Sequence, residues 1–191
     1  MKYRTVVFFF GALCCLGCGG EDVLPKPKAM LRLQFPDQEY RDLHDGCEYT
    51  FQVNTIAEPK KDENCSMALN YPMMKASVFI TYKKVDNDLT TLLRDAQKLS
   101  FEHAVKADNI IDQPFVNGED RVYGMFYEVT GNAASQSQFY ATDSLDHFVT
   151  GSLYFYAKPN YDSIYPAAIY LQKDIRRILE TLQWKNKRPI K

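Results

Sequence analysis

The sequence lacks the signatures by which most enzymes are recognised. No GxxxxGK[ST] or GxGxxG loop is present to cradle phosphate, no GxSxG elbow to raise a nucleophilic serine, and no HExxH helix or CxxC pair to hold a metal. The glycines of VNGED and VTGN have the composition of turns. A charge excess is also missing: 23 Lys and Arg face 24 Asp and Glu, which leaves no electrostatic footprint for nucleic acid. The basic stretches KPK and KNKRPIK are too short for a polybasic membrane patch and in keeping with solvated ends. Finally, no uncharged apolar run reaches the ~20 residues that cross a bilayer; the longest, residues 6–16, is stopped by Glu21 and Asp22.

That short run has its own meaning. Lys2 and Arg4 precede it, and small Gly17 separates it from Cys18, the three-part layout of an export signal. We read residues 1–17 as a lipoprotein signal peptide and Cys18 as the lipidated first residue of the mature chain. Cys15 stands where such signals usually carry Leu, and the alternative is an ordinary secretory peptide cut nearby. Lipidation at such a site adds more than one acyl chain, and at ~0.8 kcal/mol per buried CH₂ two chains hold stably where one is marginal. Residues 18–30 are polar and proline-spaced, which favours a tether reaching roughly 35 Å at ~3.1 Å per residue. Residues 31–191 are then expected to form one globular domain. Losing Lys2 and Arg4 leaves 21 basic against 24 acidic residues, a net charge near −3.

Beyond Cys18 the mature chain carries only Cys47 and Cys65. In an oxidising envelope compartment they read either as one disulfide closing an ~18-residue loop, a contribution of ~3 kcal/mol on the chain-entropy model, or as two buried free thiols. His44, three residues before Cys47, with Asp42 or Asp45 and Cys65, is the nearest thing to a metal set. Its spacing matches no known zinc pattern, so no metal and no cofactor is expected.

Short apolar or alternating stretches at 31–35, 47–53, 66–71 and 76–85, each bounded by Pro, Asp or Asn, read as strands. The period then changes. Across 86–108, Leu89, Leu92, Leu93, Ala96, Leu99, His103 and Ala107 recur every three or four residues behind Asn87 or Asp88, an amphipathic helix. A second strand block covers 121–132, 134–143 and 146–157, the last two joined as a hairpin. A closing helix, with Ser163 as cap and Pro166 in its first turn, runs through Leu171, Ile175, Ile178, Leu179 and Leu182 to near Trp184. The order predicts an α+β domain, mainly an antiparallel sheet with two amphipathic helices packed on it.

Two candidates for catalysis remain. His103, on the apolar face of its helix, could act as a base near Glu102 or Asp108, but a packed, hydrogen-bonded histidine is the preferred reading. Ser144, Asp146 and His147 supply the residue types of a nucleophilic triad, but within one turn their side chains cannot line up in relay. What is abundant is tyrosine, 13 residues concentrated in the second strand block and near the last helix. Its apolar body and polar tip suit interfaces and ordinary sheet surfaces alike.

The segments PKP…LRLQFP, HAVKAD, VYGMFYEVTGNAASQSQF, ATDSLDHF, GSLYFYAKPNYDS and DI…ILETLQW, together with the two cysteines, run through most of the mature chain. In aggregate the sequence resembles the gliding-motility lipoprotein family GldD of Bacteroidetes-type bacteria; Ala29 and Met30 stand where a Gly-aromatic pair is expected. The resemblance implies a non-enzymatic accessory envelope lipoprotein of the gliding and type IX secretion machinery. Its lipid would hold it on a membrane, facing the periplasm, and its partners would be other envelope proteins of that machinery. It offers no catalytic residues, so Cys18 is the only functional position it transfers. An envelope carrier of a small ligand or lipid, and an envelope hydrolase using His103 or His147, are the competing readings.

Overall fold

The structure is a computed structural model and describes residues 34–102, 106–156 and 160–186. The elements are β1 (Tyr40–Leu43), β2 (Tyr49–Asn54), β3 (Glu58–Lys61), β4 (Met67–Tyr71), β5 (Ala76–Lys84), α1 (Leu89–Glu102), β6 (Ala107–Asn117), β7 (Val122–Gly131), β8 (Ser137–Thr142), β9 (His147–Phe155), α2 (Tyr161–Glu180) and β10 (Gln183–Trp184). They form an α+β single domain with two antiparallel sheets, one of seven strands in the order β3-β4-β5-β9-β8-β7-β6 and one of three in the order β1-β2-β10.

The large sheet is two meanders joined in the middle. β3, β4 and β5 run side by side; the chain then crosses one face as α1 to the far edge, and β6 to β9 walk back until β9 pairs with β5. After β9 the chain crosses the opposite face as α2 and returns to pair Trp184 with Tyr49 on β2. Both faces of the sheet therefore need apolar residues. On the face beneath α2, here the inner face, Val78, Ile80, Phe126, Phe139 and Leu153 join Leu171, Ile175 and Ile178 of α2 and the small sheet in the main core. On the outer face Tyr127, Tyr140 and Phe148 meet Leu92 and Ala96 of α1 in a second, smaller cluster.

Gly151 lies directly across from Phe139. A β-carbon at 151 would collide with the Phe139 ring, so this glycine exists to let an aromatic side chain lie flat across the sheet.

The structure revises several boundaries. α1 ends at Glu102, and Ala107, expected on the helix stripe, instead opens β6. The stripe buries Leu92, Ala96 and Ser100, while Leu99 is 39% exposed. β6 itself has no fully buried position, because it is an edge strand with Pro114 in its middle. α2 starts at Tyr161 rather than at a Ser163 cap, because the Tyr161 N–H donates to Asn132 Oδ1 at 2.9 Å across the chain. It stops at Glu180, since Trp184 is needed in β10. Residues 34 and 35 belong to no strand; the rest of the strand expected at 31–35, together with Cys18 and the tether, lies outside the described residues.

Candidate functional site

Ser144, Asp146 and His147 are built into the turn between β8 and β9. Asp143 Oδ1 accepts the backbone N–H groups of Leu145, Asp146 and His147 at 3.0, 2.8 and 2.9 Å. Ser144 has a left-handed φ of 67° and donates its N–H to Thr142 Oγ1 at 2.9 Å. These contacts build the β8–β9 turn. His147 is buried and stacked on Trp184, with ring centroids 5.1 Å apart. Its Nε2 faces the Asn186 carbonyl at 3.4 Å, an acceptor only, and its Nδ1 faces the Tyr82 hydroxyl at 2.9 Å. A proton on Nε2 donated to that carbonyl, with Nδ1 accepting from Tyr82, satisfies both contacts. Burial pushes the Tyr82 hydroxyl up to about 12, so it keeps that proton. His103 lies outside the described residues.

Cys47 and Cys65 are joined by a disulfide, with Cα atoms 5.6 Å apart. It ties the strand-entering end of β2 to the β3–β4 turn. Asp45 Oδ1 accepts the Cys47 N–H at 3.2 Å, while His44 and Asp42 are exposed. Among the described residues no three His, Cys, Asp or Glu side chains converge to hold a metal.

The structure reveals a centre that the sequence reading passed over. Asp174 of α2 is 1% exposed. Its carboxylate accepts from Gln38 Nε2 at 2.7 Å, Tyr40 Oη at 2.9 Å, and Asn54 Nδ2 at 3.1 and 3.0 Å. Burial pushes its pKa up, and the bonds from Asn54, Tyr40 and Gln38 pull it back. Gln38 also donates to the Tyr170 carbonyl at 2.9 Å, and the Phe35 ring sits 5.4 Å from that of Tyr170. The network thus fastens the segment leading into β1 onto α2. A signal was available: 174 falls between Leu171 and Ile175 on the apolar stripe, where a charged residue must find buried partners.

The surface best suited to recognition is the outer face of the large sheet. α1 covers it over β7, β8 and part of β9, and the rest is open. Phe79 of β5 is 42% exposed. Its ring meets that of Tyr154 edge-on, centroids 5.7 Å apart. Nearby, Ser77 Oγ donates to Asn70 Oδ1 at 2.7 Å and also bonds the Tyr156 hydroxyl at 2.7 Å, fixing the polar rim. Two hollows flank this ridge. One of about 200 Å³ lies between α1 and the sheet, lined by Thr81, Leu92, Leu99 and Phe148 among others. The other, about 300 Å³, lies towards β3, between Lys60, Ala68 and Phe79. An aromatic ridge between hollows with a fixed polar rim is equipped to bury another surface.

No described helix is long and apolar enough to cross a membrane. Comparison with curated proteins gives no match. The profile of the family described as gliding motility lipoprotein GldD, by contrast, matches residues 20–184, nearly the whole domain. With that match spanning both sheets and both helices, the chain belongs to the gliding motility lipoprotein GldD family, which makes it a membrane-anchored envelope protein and an accessory of gliding motility.

Proposed function

We propose that the protein is a non-enzymatic accessory lipoprotein that binds or stabilises partner proteins of the gliding and type IX secretion machinery, held by acyl chains on Cys18 and facing the periplasm. The observation that carries this reading is the uneven cover of the large sheet: Phe79, with half-buried Tyr154 against it, and Leu99 of α1 stay exposed beside a half-covered outer face. A partner protein would bury these side chains at ~25 cal/mol per Å² of apolar area. The two adjoining hollows, about 200 and 300 Å³, lie below and at the lower edge of the ~300–1,000 Å³ of ordinary ligand pockets, which favours a protein partner over a small-molecule cargo.

The test is genetic. A deletion strain is complemented with wild type, Cys18→Ala or Phe79→Glu, and its secreted proteins and surface movement are measured. Wild type restores both, whereas each variant restores neither in full although it accumulates normally. Unchanged secretion in the deletion strain would remove the secretion role. Full rescue by Phe79→Glu would remove the outer face as the docking surface.

A further inference from the structure

The two ends of the domain differ in what they present. The antiparallel register gathers the start of β1, the β2–β3 turn, the β4–β5 turn and the end of β9 at one end. Tyr40 pairs with Asn54, Tyr71 with Ala76, and Ala76 with Phe155. The Tyr156 N–H then donates to the Lys75 carbonyl at 2.8 Å. The N-terminal part of the chain joins the domain at this same end, because Gln38 and Tyr40 are both bound to Asp174, which also holds Asn54. The Asp174 centre therefore fixes the segment from Gln38 to Tyr40 at this end.

At the same end, Met73 is 72% exposed on the turn Pro72–Met74, and Tyr156 is 66% exposed next to Lys75. An unbranched apolar tip, a tyrosine and a lysine are the side chains that settle at a lipid–water boundary. The chain outside the described residues dictates the occupant. Cys18 and Gln34 are joined by residues that span roughly 50 Å at full extension, so an acylated Cys18 keeps this end close to lipid at high effective concentration. Even a weak apolar contact is then made.

We propose that the tether end of the domain rests on the phospholipid bilayer that holds its own anchor, with Met73 inserted to the top of the acyl chains and Tyr156 and Lys75 at the head groups. The proposal rests on the lipoprotein assignment and goes beyond the partner-binding reading, whose ridge of Phe79 and Tyr154 lies on the sheet face; Tyr156, bonded to Ser77 at the rim of that ridge, is the one residue the two surfaces share. Acidic Asp37, Glu39 and Glu58 at the same end offset Lys75, so the contact is apolar and insensitive to salt.

The protein supplies its own control. Its one tryptophan, Trp184, is 3% exposed and pairs with Tyr49 at the far end. Lipidated full-length protein, as wild type, Met73→Trp, Tyr156→Trp or Leu145→Trp, is reconstituted into phosphatidylcholine vesicles with and without brominated acyl chains. Leu145 is 47% exposed in the β8–β9 turn at the far end. Brominated lipid is expected to quench the added emission of Met73→Trp at least twofold and that of Tyr156→Trp less, at low and high salt alike, and to leave Leu145→Trp unquenched. Equal quenching at 73 and 145 would overturn the proposal, since the domain would then swing freely on its tether. Failure of every form to float with the vesicles would instead strike the lipoprotein assignment itself.

Discussion

The inner and outer faces of the seven-stranded sheet are made by the same strands and serve different ends. Beneath α2, Val78, Ile80 and Leu153 are fully buried and continuous with the small sheet. Beneath α1 the cover is partial, and one helix position that reaches the sheet is Ser100, whose hydroxyl bonds the Ala96 carbonyl at 3.1 Å and Gln138 Oε1 at 3.4 Å. A stripe whose buried residues are Leu92, Ala96 and Ser100 lets α1 lie close but buries little apolar area. Most of the fold's stability therefore lies on the inner face, and the outer face is free to carry recognition.

The comparison can be broken hardest on the inner face. Leu153→Ala should cost about 2–5 kcal/mol, through lost burial and a cavity the sheet cannot close. Chemical denaturation would measure it, and a loss near that of a surface substitution would mean the inner face is not the stabilising one. Next comes the disulfide between Cys47 and Cys65. Cys47→Ser with Cys65→Ser should lower stability by ~3 kcal/mol, the loop-entropy figure for a crosslink of this span; thiol titration of the unreduced, denatured protein should find neither cysteine free.

Asp174 sharpens the comparison by pH. Its folded pKa is raised by burial above the ordinary 3.8, so between these two values the folded state holds a proton that the unfolded chain has released. Its contribution to stability is most favourable below 3.8 and declines as pH rises through the folded pKa. The stability of wild type minus that of Asp174→Asn should accordingly fall with rising pH across that window; a difference that rose instead would mean the hydrogen bonds outweigh burial. The smallest effect belongs to the outer face. Phe79→Glu should change stability within about 0.5 kcal/mol while reducing crosslinking of the protein to envelope partners. As a control, Val116→Glu, also exposed but on the far edge strand, should leave crosslinking unchanged.

Much of this could be read in the chain. The change from period two to period 3.6 at Leu89, the turn between β8 and β9, and the stripe of α2 are local patterns, and local patterns report secondary structure directly. β6 escaped because an edge strand buries neither face fully: Ile111 and Val116 are 45% and 73% exposed and Pro114 interrupts the run. β10 is two residues long and exists only because β2 is there to pair with it. Of the site, the excess of tyrosine was visible, but not which tyrosines stay open. Phe79 lies in the continuous run ASVFITY, where period two says that it opposes Val78 and Ile80 but not whether a helix covers it.

By itself, then, the sequence determined the α+β class, the two helices and the family, because composition, periodicity and aggregate motif are properties of neighbours along the chain. Only the tertiary structure decided which sheet face stays open, that Cys47 meets Cys65, and that Asp174 gathers Gln38, Tyr40 and Asn54. Gln38 and Asp174 are 136 residues apart, and no local rule brings such pairs together. They meet because a buried carboxylate must be hydrogen-bonded, and the packing of α2 on the small sheet puts those donors within reach.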